Sequence, residues 1–152
     1  MKSSINHAIS YFTLSLILMF STSMASAASN DATLYQRLGG YDAIKAVVDD
    51  VVSQLVVDEK LGRFWAHRGD DGIAREVQFI VDFIVAKSGG PLNYGGREMK
   101  ESHVGMQIDE KDWEILISAL QNTLQKFKVP VQESKEVLEF FDSTKEDIVE
   151  KS

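Results

Sequence analysis

Residues 44–56 read IKAVVDDVVSQLV and carry the clearest pattern in the chain. Seven apolar side chains in this stretch fall three or four residues apart, which places them along one stripe of a helix. They are Ile44, Val47, Val48, Val51, Val52, Leu55 and Val56. Valine on its own favours strands, but seven matches to helical spacing outweigh that preference. The stretch therefore predicts an amphipathic helix with its apolar stripe in the core.

Three later segments repeat this helical spacing. They run through residues 73–85, 113–127 and 134–148. Phe79 and Phe83 widen the stripe of the first one, so we expect that helix to be buried over much of its girth. No segment shows the sustained two-residue alternation of a half-buried strand. The sequence therefore predicts an all-α fold in a single domain.

Two shorter helices are expected among the long ones. The first begins at a capping box, Thr33-Leu34-Tyr35-Gln36, and ends at Gly39-Gly40 within two turns. The second begins near Arg97 and places Met99 and His103 one turn apart on the same face.

Composition and charge bound the possible functions. The chain has 152 residues, of which 44% are hydrophobic and 26% are charged, and this suits one globular domain. The absence of Cys excludes a disulfide scaffold, an iron–sulfur cluster, a Cys-type zinc site and a thiol nucleophile. Sixteen Lys and Arg against 23 Asp and Glu give a net charge of −7, which argues against a nucleic-acid partner.

The N-terminal segment has the pattern of a secretory signal. Lys2 precedes the apolar run 8–20, and the small residues Ala25-Ser26-Ala27-Ala28 follow it. We interpret residues 1–27 as a cleaved signal peptide and 28–152 as the mature domain. An uncleaved anchor is the alternative, although the run is shorter than the ~20 residues of a membrane helix. We therefore expect export to the periplasm, or full secretion, without stable membrane insertion after cleavage.

Two interpretations are open for His103. It shares a helix face with Met99, and Met106 and Ile108 lie just beyond, so its surroundings are apolar. One interpretation is a buried histidine satisfied by a backbone carbonyl. The other is an axial ligand of haem iron, which needs one imidazole among apolar and thioether contacts. Spacing alone does not separate them, and no nucleophile elbow, phosphate loop or dinucleotide motif points to other chemistry.

An ordered series of motifs resembles the truncated haemoglobins of group 1. It begins with TLYQRLGG at 33–40 and VVDD at 47–50. Phe64-Trp65 stands where the family has an aromatic pair. The stretch GGPLNYGGREMKESHVGMQI at 89–108 resembles the segment that leads to the family's proximal histidine. The resemblance covers residues 32–149, nearly the whole mature chain.

This resemblance implies a truncated globin, a two-over-two helical sandwich around one haem b. The helices centred on residues 49 and 78 would form one pair, and those centred on 118 and 140 the other. His103 would be the proximal ligand of the iron. The implied haem pocket is lined by Val52, Phe64, Trp65, Ile73, Val77, Val81, Met99, His103, Met106 and Ile108.

The chain departs from the family pattern on the distal side of the haem. Val52 takes the place of the family's usual tyrosine, and Ile73 and Val77 take the places of its usual glutamines. A shift of one residue would replace Val77 by Gln78, but Gln78 lies off the apolar stripe. We therefore expect an apolar distal pocket that releases O₂ rapidly, because it lacks a hydrogen-bond donor to the ligand.

Two other side chains are candidates for the distal side. Trp65 either packs as an aromatic wall or donates a hydrogen bond through its indole N–H. His67 either faces water in its loop or serves as a distal donor or sixth iron ligand.

The expected function is reversible binding of O₂, CO or NO at the haem iron of an exported protein. The alternatives are an NO dioxygenase or peroxidase served by a separate reductase, and a haem-based redox or sensor protein. An apolar distal pocket argues against the enzymes, because O₂ chemistry generally uses distal donors. A haem-free helical bundle is the remaining, purely structural, class.

Overall fold

A computed structural model describes residues 32–150, which contain seven α-helices, one 3₁₀ turn and no strand. The elements are α1 (Leu34–Arg37), α2 (Tyr41–Val57), the 3₁₀ turn (Leu61–Phe64), α3 (Asp70–Lys87), α4 (Met99–His103), α5 (Glu110–Lys126), α6 (Val131–Asp142) and α7 (Lys145–Ile148). The predicted all-α fold is confirmed. The predicted signal peptide, residues 1–27, lies outside the described residues.

The first helix pair is formed by α2 and α3, which pack through valine-rich stripes. The buried residues of this contact are Ile44, Val48, Val52, Val77, Val81 and Val85. Val81 and Val85 have no exposed surface. Fully burying such a side chain contributes roughly 1.5 kcal/mol or more, so the stripe stabilises the pair strongly.

The second pair is formed by α5 and α6, and α5 also packs on α2. Their shared core contains Val51, Leu55, Leu61, Ala119, Leu120, Leu124 and Val137. A buried polar link joins α2 to α5, because the hydroxyl of Thr123 donates to Asp50 over 2.9 Å and accepts from Gln54 over 2.8 Å. The two predicted helix pairs are therefore both present.

A glycine turn ends α3 and holds α1 against it. Gly89 has a φ of +86°, a conformation that residues with a Cβ rarely adopt. A Cβ on Gly89 would also lie 2.9 Å from the Cβ of Thr33. The N–H of Tyr35 donates to the carbonyl of Ser88 over 2.9 Å, so the turn anchors the first helix before the chain leaves for α4.

The last predicted helix is two helices in the structure. The hydroxyls of Ser143 and Thr144 donate to the carbonyls of Phe140 and Phe141. These bonds satisfy carbonyl groups at the end of α6. The chain then turns, and α7 packs on α4. Ile148 of α7 is thereby buried in the third hydrophobic cluster. Within residues 32–150 we find no helix long and apolar enough to cross a membrane.

Candidate haem cavity

The helices enclose a cavity of about 1300 Å³. Its walls come from all seven helices and the 3₁₀ turn of the described chain. Of the helices that line it, α3 packs on α2 and α4 packs on α7. The cavity exceeds the ~300–1,000 Å³ of ordinary small-molecule sites, so it has room for a large cofactor.

His103 contributes an imidazole to this cavity from the end of α4. The side chain is half-buried, and its Nδ1 lies 2.7 Å from the carbonyl oxygen of Met99. A carbonyl only accepts, so this bond requires the proton on Nδ1 and leaves the lone pair of the neutral ring on Nε2. Nε2 has no hydrogen-bond partner among the described residues. Orientation of a ligating histidine by a backbone carbonyl is the usual arrangement at metal sites.

The surroundings of α4 are apolar, as the sequence predicts. Met99, Met106 and Ile108 line the cavity beside His103. Ile108 is buried against Trp113 of α5 and Ile148 of α7, and the N–H of residue 150 donates to its carbonyl over 2.9 Å. This cluster fixes the chain on both sides of the imidazole.

The 3₁₀ turn supplies an aromatic wall. Phe64 and Trp65 both line the cavity and meet edge to face, with ring centroids 6.3 Å apart. The guanidinium of Arg63 lies 4.1 Å from the ring centroid of Phe64. The indole Nε1 of Trp65 is buried without a hydrogen-bond partner in the described part of the chain. An unpaired buried donor costs free energy.

An ion-pair cluster around Asp112 fastens this aromatic wall to α5. Its carboxylate accepts from Arg63 over 2.5 and 2.9 Å and from Lys60 over 2.6 Å, although only 2% of the residue is exposed. Burial alone would raise the pKa of Asp112, but the hydrogen bonds from Arg63 and Lys60 outweigh burial and hold that pKa far below its ordinary value. Asp112 also completes a capping box with Asp109 at the start of α5.

The α3 wall differs from the prediction. Ile73, Val77 and Val81 do not line the cavity, because their stripe faces α2. The side of α3 that lines the cavity carries Gly72, Arg75, Glu76, Phe79, Ile80, Phe83, Ile84 and Lys87. The helix carries apolar residues on two sides, and the stripe that the sequence suggested for the pocket packs against α2. Seven other predicted pocket residues do line the cavity: Val52, Phe64, Trp65, Met99, His103, Met106 and Ile108.

This wall also carries charged side chains, whereas the distal residues predicted from the sequence are apolar. Glu76 and Arg68 both line the cavity and form an ion pair at 2.7 Å. Gln78 points elsewhere, since its amide bonds the hydroxyl of Tyr41 and the carboxylate of Asp82. His67 is exposed and does not line the cavity, so this structure places it in the water-facing role.

The residues of the cavity fit a haem. Its interior is mostly apolar, and one imidazole nitrogen on its wall has a free lone pair. Cationic side chains at its edges suit the carboxylates that haem carries: Arg63, Arg68, Arg75, Lys87 and Arg97. Residues 32–150 contain no cluster of three His, Cys, Asp or Glu side chains that could hold a bare metal ion.

Comparison with known proteins also indicates a haem protein. The sequence model of the bacterial-like globin family matches residues 33–150. The group 1 truncated hemoglobin of Tetrahymena pyriformis is 29% identical over 119 residues, which cover 78% of this chain and 96% of that protein. The group 1 truncated hemoglobin GlbN of a Nostoc species is 29% identical over 108 residues, 71% of this chain and 89% of that protein.

Solved structures of such proteins share the fold. The crystal structure of truncated hemoglobin from Tetrahymena pyriformis in its Fe(III) form matches with a TM-score of 0.70 and 27% identity, over 78% of this chain and 98% of that one. The 2/2 hemoglobin of a Synechococcus species, in the cyanomet state with covalently attached heme, has the same TM-score at 24% identity, over 78% of this chain and 98% of that one. The second likeness shows the fold alone.

The resemblance to group 1 truncated haemoglobins, the two-over-two fold and the haem cofactor, typically haem b, are confirmed by these matches. Haem-based binding of a gas such as O₂ follows from membership of the family. The chain belongs to the bacterial-like globin family.

Proposed function

We propose that this chain is an exported haem protein that binds O₂, CO or NO reversibly at an iron ligated by His103. The family supports haem-based gas binding in general. The identity of the ligating residue, the pocket side chains and the export are the parts that we add.

One observation carries the assignment of His103. Its Nδ1 is held by the carbonyl of Met99 at 2.7 Å, while Nε2 has no partner in the described part of the chain and the ring lines the cavity. The carbonyl both orients the ring and raises the basicity of the free nitrogen. The two predicted interpretations of His103 are therefore compatible: the carbonyl satisfies one nitrogen and leaves the other for iron.

A haem held here by His103 would supply the iron that binds a diatomic gas. The protein supplies the surroundings of that position. Val52 and Ile80 exclude water with apolar surface, and Phe64 and Trp65 form the aromatic wall. A pocket that excludes water slows loss of the haem and oxidation of its iron, which reversible gas binding needs.

Absorption spectra of the purified mature protein test the proposal. We expect a Soret band at one haem per chain, a change of spectrum on reduction, and a further change when CO is added to the reduced protein. Repeated exposure to O₂ and removal of it should restore the reduced spectrum. A protein that fails to take up haem, or that is oxidised in the first O₂ cycle, would contradict reversible gas binding.

Export rests on the sequence of the N-terminal segment. A positive start, the apolar run 8–20 and the small residues 25–28 support a signal peptide with cleavage near residue 27. A mature chain that begins at Ala28 has lost Lys2 and no acid, so its net charge is 15 − 23 = −8. The intact mass of natively expressed protein tests this proposal. A soluble protein that retains Met1 would refute it.

Turnover of NO or peroxide with a separate reductase is the second candidate. The charged side chains Arg68 and Glu76 on the α3 wall favour this enzymatic activity. O₂ chemistry generally uses polar groups beside the ligand, and a wholly apolar pocket would lack them. Consumption of NO by the oxygenated protein, measured with and without a chemical reductant, tests this activity. Stoichiometric consumption without turnover would leave gas binding as the function.

A further inference from the structure

The sulfur atoms of the proposed mature chain lie close to His103 in the sequence. The chain has no Cys, and three of its five Met fall within the predicted signal peptide. Residues 28–152 therefore contain two sulfur atoms, those of Met99 and Met106. These residues stand four positions before and three positions after the histidine that we assign to the haem iron.

The backbones of both methionines are hydrogen-bonded to His103. The carbonyl of Met99 accepts the bond from Nδ1 over 2.7 Å and so orients the imidazole ring. The N–H of Met106 donates to the carbonyl of His103 over 3.1 Å and closes the turn that follows α4. A displacement of either methionine therefore changes the position of the imidazole.

The side chains of the two methionines are packed and yet accessible. Each residue is half-buried and lines the cavity, so a molecule as small as hydrogen peroxide has access to it. Each also packs against the buried cluster of Ile108, Trp113 and Ile148. A thioether suits such a cluster because it is apolar, whereas the sulfoxide that forms on its oxidation is polar.

We propose that Met99 and Met106 are oxidation sites that couple exposure to a hydroperoxide to release of the haem. The sulfur lone pair attacks one peroxide oxygen, so the S–O bond forms and the O–O bond breaks. The proton of the transferred oxygen passes to the departing hydroxide, which leaves as water. The sulfur is oxidised to the sulfoxide, and the peroxide is reduced.

The sulfoxide acts on the haem through the backbone of the oxidised residue. Burying the new polar group without a hydrogen bond costs free energy, so the side chain moves out of the apolar cluster. The backbone group that holds His103 moves with it, and the imidazole loses its orientation toward the iron. This inference rests on the proposed function, because it requires that His103 ligates the iron.

Treatment of the mature haem protein with hydrogen peroxide tests the proposal. The protein is treated as its reduced CO complex, so that CO protects the iron and the absorption spectrum reports an intact haem. Mass spectrometry should find one added oxygen, about 16 Da, on each methionine. Transfer of haem from the ferric form to an excess of haem-free myoglobin should then be about tenfold faster than before treatment. Methionine sulfoxide reductases should restore the original rate, because they reverse this modification.

Three variants separate oxidation of the methionines from other damage. The double variant Met99→Leu with Met106→Leu keeps the apolar volume and removes both sulfur atoms, so peroxide should leave its haem transfer rate unchanged. Met99→Gln places a polar group in the cluster without any oxidant and should speed haem transfer about tenfold. Val104→Gln is the matched control, because it adds the same amide beside His103 on a side chain that is 67% exposed and does not line the cavity. Its transfer rate should equal that of the wild type.

The outcomes distinguish this proposal from the proposed function. Sulfoxide at both positions with an unchanged haem transfer rate would overturn the proposal, and so would equal acceleration by peroxide in the wild type and in the double Leu variant. Absence of sulfoxide under conditions that fully oxidise free methionine would also overturn it. Failure of the untreated wild type to bind haem would contradict the proposed function instead, and that result appears before any peroxide is added.

Discussion

Replacing Asp112 by Asn should loosen the aromatic wall of the cavity. Asn keeps the shape of the side chain and one acceptor oxygen, but it loses the negative charge that Arg63 and Lys60 share. The capping bond to the N–H of Asp109, 3.0 Å in the wild type, can be retained by the amide oxygen. The substitution therefore isolates the ion pairs from the helix cap.

The expected cost follows from the exposure of the three partners. Breaking a buried ion pair costs ~3–5 kcal/mol when the remaining charge stays buried. Here the side chain of Asp112 is 1% exposed, but those of Lys60 and Arg63 are 32% and 41% exposed and can recover water. We therefore expect a loss of about 2 kcal/mol in the free energy of unfolding. For a domain of this size the melting temperature should fall by roughly 6–10 °C.

The pH dependence gives a second signature of the same charge. The pKa of Asp112 is lowered by folding, so its stabilisation is complete above the unfolded pKa of about 3.9 and is lost as the pH falls through the folded value. Urea unfolding should be measured for the wild type and for Asp112→Asn at about pH 6 and about pH 3. The difference between their free energies of unfolding should be smaller at the lower pH. Asp49→Asn, at an exposed pair, should change stability by less than ~0.5 kcal/mol at both.

Equal stability of Asp112→Asn and the wild type near neutral pH would refute this reasoning. It would mean that desolvation of the carboxylate offsets its ion pairs completely. A stability difference between the two proteins that grows as the pH falls would contradict the direction of the pKa shift.

Two further predictions concern the helix pair and the pocket. Val81→Ala should cost about 2 kcal/mol of stability by urea unfolding, because Val81 is fully buried between α2 and α3, whereas Val57→Ala at a 79% exposed site should cost under ~0.5 kcal/mol. Equal effects would contradict the assigned core. Val52→Tyr should slow O₂ release about tenfold in stopped-flow measurements and affect CO much less, because a phenol donates to polarised O₂ for ~1.5 kcal/mol or more. Slow O₂ release from the wild type would show that a donor on the cavity wall already bonds the ligand, and the indole N–H of Trp65 and the guanidinium of Arg68 are the candidates.

Helical spacing was sufficient to predict the all-α class, whereas the two-over-two arrangement was predicted from the resemblance to the family. The apolar residues of α2 and α5 recur at helical spacing, so their buried positions can be read from the sequence. The end of α6 could not be read in this way, because Phe141 and Ile148 are seven residues apart and so keep the helical spacing across the polar residues 142–147. The break there depends on hydroxyl groups that bond carbonyls within one turn.

The site was predictable on the α4 side and not on the α3 side. His103 and its apolar neighbours lie close together in the sequence, so their common face follows from helical geometry. On α3 both sides are apolar, and spacing does not say which one meets α2 and which one the cavity. The signal that could have helped is the series Gly72, Arg75 and Glu76, which places small and charged residues on one side of an otherwise apolar helix.

Contacts between residues far apart in the sequence are the second feature that the sequence analysis did not predict. The capping box of Asp112 with Asp109 is visible at three-residue spacing. Its partners Arg63 and Lys60 are 49 and 52 residues away, and no local pattern predicts them. Arg75 and Glu76 resemble an ordinary solvated face for the same reason, since the cavity that they line exists only after folding.

The central claim is that His103 holds the haem iron, and haem titration of His103→Gly tests it most directly. The assay compares haem affinity and the spectrum of the reduced CO complex in the wild type, in the variant, and in the variant with added imidazole. The account predicts weak haem binding and an altered spectrum in the variant, with imidazole restoring both, because the free imidazole fills the space that the side chain leaves. Wild-type haem affinity and an unchanged CO spectrum in His103→Gly without imidazole would contradict the account.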